Sequence, residues 1–170
     1  MLTLVLGGAR AGKSAYAQKA AETAAQAGGG ALVMVATAEP LDDDMKARIA
    51  QHRAERGPAW QTIEATVKLA DALARLQAGD VVVVDCLTLW VSNLMMREAN
   101  VATHTNALCD VLAKFPCSIW LVSNEVGLGI VPENALARRF RDEAGRLHQR
   151  IAAVADEGVM VVAGLPLRVK

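Results

Sequence analysis

A glycine-rich octapeptide near the start of the chain constrains the fold more than any other feature. The pattern of a phosphate-binding loop, or P-loop, is G-x-x-x-x-G-K-[ST], and it is matched by Gly7-Gly8-Ala9-Arg10-Ala11-Gly12-Lys13-Ser14. An apolar run at residues 2–6 precedes the loop, and a segment rich in helix formers at residues 14–27 follows it. This order of strand, glycine loop and helix predicts an α/β fold that binds a nucleoside triphosphate.

The residue types in the P-loop are explained by how the loop binds phosphate. Glycines let the backbone turn its N–H groups inward, where they cradle phosphate oxygens at the positive end of the following helix. Lys13 supplies a point charge to the β- and γ-phosphates, and the Ser14 hydroxyl is expected to bind Mg²⁺. The alternative is an ordinary glycine-rich turn, which the complete match in this context disfavours. The motif indicates a triphosphate and Mg²⁺ but leaves the reaction open.

A second nucleotide signal lies where the run Val81-Val82-Val83-Val84 ends in Asp85. β-Branched residues followed by an aspartate are typical of a Walker-B strand, whose carboxylate holds Mg²⁺ directly or through water. The pattern is weak by itself, and the P-loop strengthens it.

Apolar runs and helix-forming segments alternate along the rest of the chain. The predicted strands are residues 2–6, 31–36, 60–64, 81–84, 116–123 and 158–163, and the predicted helices are 14–27, 42–56, 67–77, 86–98, 100–114 and 133–156, before a tail at 164–170. This alternation predicts one α/β domain over residues 1–170, with a mostly parallel central sheet flanked by helices and a possible antiparallel edge strand. Loops after Ala36, Asp85 and Ser123 are expected to share the P-loop edge, which is the predicted active site.

Charge and hydropathy argue against several kinds of partner. Lysine and arginine total 18, as do aspartate and glutamate, so the chain lacks the basic excess of a nucleic-acid binder. No run of about 20 residues is free of charge, so no transmembrane segment is predicted. Cys86, Cys109 and Cys117 are odd in number and lack metal-binding spacing, which favours reduced thiols in a cytoplasmic protein.

The helix predicted at residues 42–56 carries a histidine with two interpretations. Met45, Ile49 and His52 fall on one stripe, so the pattern alone favours a partly buried histidine on an apolar face. The functional alternative is a nucleophile, since neutral imidazole attacks phosphorus well at physiological pH.

Several further stretches recur in one family. They are Ala36-Thr37-Ala38, Asp43-Asp44-Met45-x-x-Arg48-Ile49-x-x-His52-Arg53, the set Arg56, Trp60, Thr62 and Glu64, the run 123–134, and Ala137-Arg138-x-Phe140-Arg141-Asp142-x-x-Gly145-Arg146. With the P-loop, they make the whole chain similar to the bifunctional adenosylcobinamide kinase/adenosylcobinamide-phosphate guanylyltransferases of cobalamin assembly. This resemblance implies a RecA-like P-loop NTPase. Ala11, where the family more often has serine, is a small departure because the loop acts there through its backbone.

The resemblance implies two reactions. In the first, ATP or GTP phosphorylates the hydroxyl on the aminopropanol arm of adenosylcobinamide. In the second, GMP passes from GTP to adenosylcobinamide phosphate through a phosphoramidate on a histidine, which the motif places at His52. The pattern alone favoured a partly buried structural histidine at position 52, whereas the family motif favours a nucleophile. The family is trimeric, so the resemblance implies that this chain forms a homo-oligomer, most simply a homotrimer.

The resemblance also implies the site residues. Lys13 and His52 are the expected catalytic residues, and Glu64 is expected to accept hydrogen bonds from the guanine N1–H and N2 amine. The expected nucleotide-binding set is Gly7, Gly8, Ala9, Arg10, Ala11, Gly12, Lys13, Ser14, Ala36, Thr37, Ala38, Arg53, Ala54, Glu55, Arg56, Glu64 and Asp85, with Ser14 and Asp85 as Mg²⁺ ligands. Arg48 and Arg53 are hypothesised to steady the phosphate. Residues 124–134 are candidates for contact with the corrinoid or a neighbouring subunit.

Two other functions remain open on the residues alone. A small-molecule kinase without guanylyl transfer would keep Lys13, Ser14 and Asp85 and make His52 structural. A GTP-binding switch is disfavoured because the guanine-reading N-K-x-D motif is absent. The preference for ATP or GTP in the kinase step and the general base of that step also stay open.

Overall fold

The computed structural model describes residues 1–170, except for the side chains of Arg48, His52 and Glu55. In this described chain the strands are β1 (Leu2–Gly7), β2 (Leu32–Ala36), β3 (Trp60–Glu64), β4 (Val81–Asp85), β5 (Ser118–Asn124), β6 (Glu157–Val162) and β7 (Leu165–Arg168). The helices are α1 (Lys13–Gly28), α2 (Asp43–Arg56), α3 (Leu69–Leu73), α4 (Leu87–Met96), α5 (Val101–Leu112) and α6 (Ala135–Val154). Strands and helices alternate, which confirms the predicted α/β class.

These strands form one sheet in the order β3-β2-β4-β5-β1-β6-β7. Neighbours from β3 to β6 are parallel, whereas β6 and β7 are antiparallel. The register aligns the strand ends, because Gly7 pairs with Asn124 and Ala36 pairs with both Glu64 and Asp85. The carboxyl ends of β1 to β5 therefore lie along one edge of the sheet, as predicted.

Both faces of the sheet are apolar because helices cover both. On β1, Leu4 faces a core that includes Trp90 and Leu147, while the next residue, Val5, faces a core that includes Ala17. All five side chains are at most 2% exposed. Continuous apolar strands of this kind are typical of parallel sheets buried on both sides. The described chain contains no helix with the length and apolar character that crossing a membrane requires.

The prediction of a helix at residues 67–77 was wrong in length, since α3 covers Leu69–Leu73. Beyond α3 the backbone tightens into turns, in which the Leu76 N–H donates to the Leu73 carbonyl. The Asp80 carboxylate then accepts the Gln77 N–H at 2.9 Å. Local bonds of this kind compete with helix formation.

The segment predicted as a tail at residues 164–170 contains β7, the antiparallel edge strand that the fold prediction allowed. Ala163 and Gly164 form the two-residue turn between β6 and β7, with φ of 50° and 80°. Positive φ at both central positions matches the twist of a β-hairpin. Leu165 and Leu167 on this edge strand are exposed.

Candidate active site

The P-loop runs from the end of β1 into α1, and neighbouring backbone braces it. A Cβ added at Gly7 would lie 2.4 Å from the Val161 carbonyl oxygen, so close packing requires glycine there. Gly12 precedes α1 with φ 95°, in the left-handed region that favours glycine. From the β6–β7 turn, the Gly164 N–H donates to the Ala11 carbonyl at 2.9 Å. The cradle is therefore fixed by β6 and its hairpin, a contribution that the sequence did not indicate.

Lys13 is the first residue of α1, and it is only 6% exposed. Its Nζ donates to the Gly8 carbonyl at 2.6 Å, so the ammonium lies over the loop. An ammonium above inward-facing N–H groups at a helix start is a favourable site for phosphate. The geometry fits the role expected of Lys13, which stays a prediction.

A buried polar network joins the loops that follow β2, β3 and β4. The Thr37 hydroxyl donates to the Cys86 carbonyl at 2.7 Å and accepts the Cys86 N–H at 2.8 Å. The Thr37 N–H donates to the Asp85 carbonyl at 3.2 Å. From α4, the Asn93 amide donates to the carbonyls of Thr37 at 2.8 Å and Thr66 at 2.9 Å. The predicted residues Thr37 and Asp85 are thus brought together, whereas no motif pointed to Asn93.

The last turn of α2 carries two arginines to the ends of β3 and β4. Arg53 Nη2 donates to Glu64 Oε1 at 2.5 Å, in an ion pair that is about half exposed. Burial lowers the pKa of the Arg56 guanidinium, and the nearby Asp85 carboxylate opposes that shift. Four predicted site residues therefore lie together. For Glu64 to contact a guanine, Arg53 must share the carboxylate or leave it.

Helix α2 is far less buried than α1. Asp42 caps it by accepting the Met45 N–H at 2.7 Å, and two further acids in its first turn suit the helix dipole. No described side chain of α2 is buried, and both Met45 and Ile49 on the expected apolar stripe are only half-buried. The side chains of His52 and Glu55 lie outside the described residues, as does that of Arg48, so their predicted roles stay predictions.

The sheet order sets the separation between α2 and the P-loop. Strand β2, which leads into α2, is three positions from β1 in the order β2-β4-β5-β1. At about 4.8 Å per position, the ends of β2 and β1 are about 14 Å apart. The helix that carries His52 therefore starts well away from the phosphate cradle.

Oxygen donors on this edge fit Mg²⁺. Asp85 ends β4 and Ser14 lies in the first turn of α1, and Mg²⁺ prefers such oxygen ligands together with water and substrate phosphates. Within the described residues, no group of three or more His, Cys, Asp or Glu side chains forms a metal cage. Burial, and then the Asp85 charge, raises the pKa of the Cys86 thiol.

A further polar cluster adjoins the P-loop, and no sequence motif indicated its connections. Ser123 Oγ and His148 Nε2 are 2.7 Å apart, and His148 Nδ1 is 3.9 Å from Glu125 Oε2. Burial lowers the pKa of His148, although the Glu125 charge opposes that shift, so the ring is neutral at neutral pH. The Glu125 N–H donates to the Gly7 carbonyl at 2.9 Å. Only the fold brings α6 and the end of β5 together.

A protein family described as cobinamide kinase / cobinamide phosphate guanyltransferase matches residues 3–169. The chain belongs to this family. The bifunctional adenosylcobalamin biosynthesis protein CobP of Pseudomonas aeruginosa is 44% identical over 173 residues, with 100% of the chain and 98% of the relative covered. The corresponding protein CobU of Salmonella typhimurium is 38% identical over 186 residues, with both chains fully covered. The resemblance predicted from the motifs is thus confirmed.

Solved structures support the fold of this cobinamide kinase / cobinamide phosphate guanyltransferase family member. The flagellar accessory protein FlaH of Methanocaldococcus jannaschii matches with a TM-score of 0.52 at 14% identity, over 99% of this chain and 77% of that one. A KaiC-like protein of Pyrococcus horikoshii matches with a TM-score of 0.51 at 15% identity, over 94% and 69%. At such low identities these likenesses concern the fold alone, which is the predicted RecA-like P-loop NTPase.

Proposed function

We propose that this family member phosphorylates adenosylcobinamide and then transfers GMP from GTP to the new phosphate through a covalent bond to His52. The cobinamide kinase and cobinamide phosphate guanylyltransferase activities belong to the family. The observation that supports a shared site for both is that the braced P-loop and the arginines at the end of the exposed helix α2 lie along the same edge of the sheet.

In the kinase step, the P-loop N–H groups and the Lys13 ammonium bind the triphosphate. The hydroxyl of the aminopropanol arm attacks the γ-phosphorus, and the nucleoside diphosphate leaves. Ser14 and Asp85 would hold Mg²⁺, which supplies neutralisation of the phosphate charge. These residues orient the reacting groups and stabilise the charge that develops on the leaving oxygen.

In the transfer step, a ring nitrogen of His52 attacks the α-phosphorus of GTP, the bond to the β-phosphate bridge breaks, and pyrophosphate leaves. A phosphate oxygen of adenosylcobinamide phosphate then attacks the same phosphorus, the P–N bond breaks, and the imidazole is restored. Arg53 and Arg56 supply positive charge near the transferred group, and Glu64 contacts the guanine. The Arg53–Glu64 ion pair supports this assignment, because it joins two of the expected nucleotide-binding residues at the end of β3.

Labelling with α-³²P-GTP tests the covalent step. We expect acid-labile label on the wild-type enzyme and on His104→Ala, the matched control from α5, and none on His52→Ala. His52→Ala should still phosphorylate adenosylcobinamide, because that step uses the P-loop and not the imidazole. Equal labelling of His52→Ala would refute the nucleophile, and a wild type that phosphorylates adenosylcobinamide without any labelling would indicate a kinase that lacks guanylyl transfer.

We also propose a homotrimer. The exposed apolar side chains Leu165, Leu167 and Val169 along the β7 edge support an interface between copies, since exposed apolar edges favour association. A solution mass of three times 18.0 kDa is the expected result, and a monomer mass at working concentration would contradict it.

A further inference from the structure

The two proposed reactions differ in their need for a base. The aminopropanol hydroxyl must lose a proton as it attacks the γ-phosphorus. In the transfer step the attacking groups are a neutral imidazole and a phosphate that is already an anion, so neither needs a base. An additional proton acceptor is therefore required in the kinase step alone, and its assignment rests on the proposed kinase activity.

The described acidic residues within three positions of the carboxyl ends of β1 to β5 are Glu39, Glu64, Asp85 and Glu125. Glu39 accepts from Arg97 at 2.7 Å, and Glu64 accepts from Arg53. Asp85 is the proposed Mg²⁺ ligand. Glu125 is the remaining carboxylate at this edge.

Glu125 lies beside the phosphate cradle. It directly follows β5, which runs between the P-loop strand β1 and the Asp85 strand β4. Its N–H donates to the carbonyl of Gly7, the first residue of the P-loop. Its side chain is 22% exposed, so the carboxylate is held by the protein and still accessible to a substrate hydroxyl.

Neighbouring groups lie on two sides of the carboxylate. Oε1 accepts the Gly127 N–H at 2.5 Å, and a Cβ added at Gly127 would lie 2.9 Å from that oxygen. Oε2 faces His148 Nδ1 at 3.9 Å. A neutral ring with Nδ1–H toward the carboxylate accepts the Ser123 hydroxyl at Nε2, which agrees with their 2.7 Å separation. The buried pair of Ser123 and His148 thus lies against one side of the Glu125 carboxylate.

We propose that Glu125 is the general base of the kinase step and that His148 and Ser123 are its positioning residues. As the hydroxyl oxygen attacks the γ-phosphorus, its proton passes to Glu125. The bond between the γ-phosphorus and the bridging oxygen breaks, and the nucleoside diphosphate leaves with the electron pair. Glu125 then releases the proton to water.

The variant Glu125→Gln tests this role, because the amide keeps an oxygen that accepts the Gly127 N–H but cannot take a proton. Phosphorylation of adenosylcobinamide should fall roughly 10²- to 10⁴-fold, the usual contribution of a general base. Self-labelling with α-³²P-GTP and transfer of GMP to adenosylcobinamide phosphate should keep wild-type rates. Glu98→Gln, the same change at an exposed position after α4, should leave all three rates unchanged.

Two further variants separate positioning from folding. Gly127→Ala moves the carboxylate without changing its chemistry, and His148→Gln removes the neighbouring ring. Each should lower kcat of the kinase step and leave self-labelling unchanged. The proposal is overturned if Glu125→Gln phosphorylates at the wild-type rate, or if it loses kinase and self-labelling equally. A wild type without kinase activity would instead refute the proposed function on which the assignment rests.

Discussion

The helices that follow β1 and β2 carry the two halves of the proposed chemistry, and they are attached to the protein in different ways. Helix α1 buries Lys13, Ala17 and Ala21 against the sheet, and the loop before it is closed by backbone contacts. Helix α2 buries none of its described side chains and ends on the exposed Arg53–Glu64 ion pair. Exposed ion pairs contribute little stability, typically about 0–1 kcal/mol.

This difference suits a site that acts on two phosphorus atoms of a nucleotide. The phosphate cradle must stay in place because preorganised donors stabilise developing charge without a cost of reorganisation. The helix with the proposed nucleophile must approach the α-phosphorus in one reaction and leave the γ-phosphorus open to adenosylcobinamide in the other. Because none of its described side chains is buried, α2 can move relative to the sheet at low free-energy cost.

Among the variants that compare α1 with α2, Lys13→Met has the largest expected effect and tests whether one cradle serves both reactions. The methionine keeps the apolar stem but removes the charge that is proposed to contact the phosphates. Kinase and self-labelling rates should both fall roughly 10²- to 10³-fold, as for other lost electrostatic contacts. Lys19→Met, an exposed change on the same helix, is the control. Loss of one reaction alone would mean that the two reactions do not share the loop.

Gly7→Ala tests whether the phosphate cradle is closely packed against β6. The added Cβ would meet the Val161 carbonyl oxygen, so we expect a loss of about 1–3 kcal/mol in the free energy of unfolding. At Gly8 a Cβ would have no atom within 4 Å, so Gly8→Ala should unfold at nearly the wild-type midpoint. Urea titration of both variants measures the difference, and equal midpoints would contradict the close packing of the cradle.

Glu64→Gln tests base recognition at the end of α2. The amide oxygen accepts one guanine hydrogen bond where the carboxylate accepts two, and the lost charge-assisted bond is worth about 1.5–3 kcal/mol. Because the site is half exposed, we expect about a tenfold loss in kcat/KM for GTP in self-labelling. Kinase activity with ATP should not change, and Gln61→Ala on the same strand serves as the control. An unchanged kcat/KM for GTP in Glu64→Gln would show that Glu64 does not recognise the guanine.

The smallest expected effect is a pH dependence at His148. The unfolded ring takes up a proton near its ordinary pKa of about 6.5, whereas burial lowers the pKa in the folded protein. The unfolded state therefore binds more protons, so the stabilising effect is present above that pH and declines as pH falls below it. The decline should be weaker in His148→Gln, measured by urea unfolding from pH 7.5 to 5.5. An equal decline in the free energy of unfolding of both proteins would show that the pH dependence does not come from His148.

The features that could be predicted from the sequence are those that depend on local residue patterns. The P-loop, the Walker-B strand and the 60–64 strand follow from short-range residue order, and all three are present in the fold. Helix α3 was misjudged because turn bonds follow it directly, such as the one from the Leu76 N–H to the Leu73 carbonyl. The stripe through Met45 and Ile49 predicted a partly buried face, and both residues are half-buried.

Contacts between distant segments were beyond sequence reasoning. Asn93 lies 56 residues from Thr37, and His148 lies 25 residues from Ser123. Neither pair belongs to a periodic pattern, because the sheet order and helix packing bring them together. The same holds for Gly164, which contacts the P-loop only because β6 pairs with β1.

Crystal structures of the enzyme without nucleotide and with bound GTP provide the most direct test of the central contrast. After superposition on the sheet, we expect the P-loop and α1 to coincide and α2 to shift toward the α-phosphorus, with the Arg53–Glu64 contact rearranged around the guanine. Superimposable α2 helices in the two structures would contradict this account.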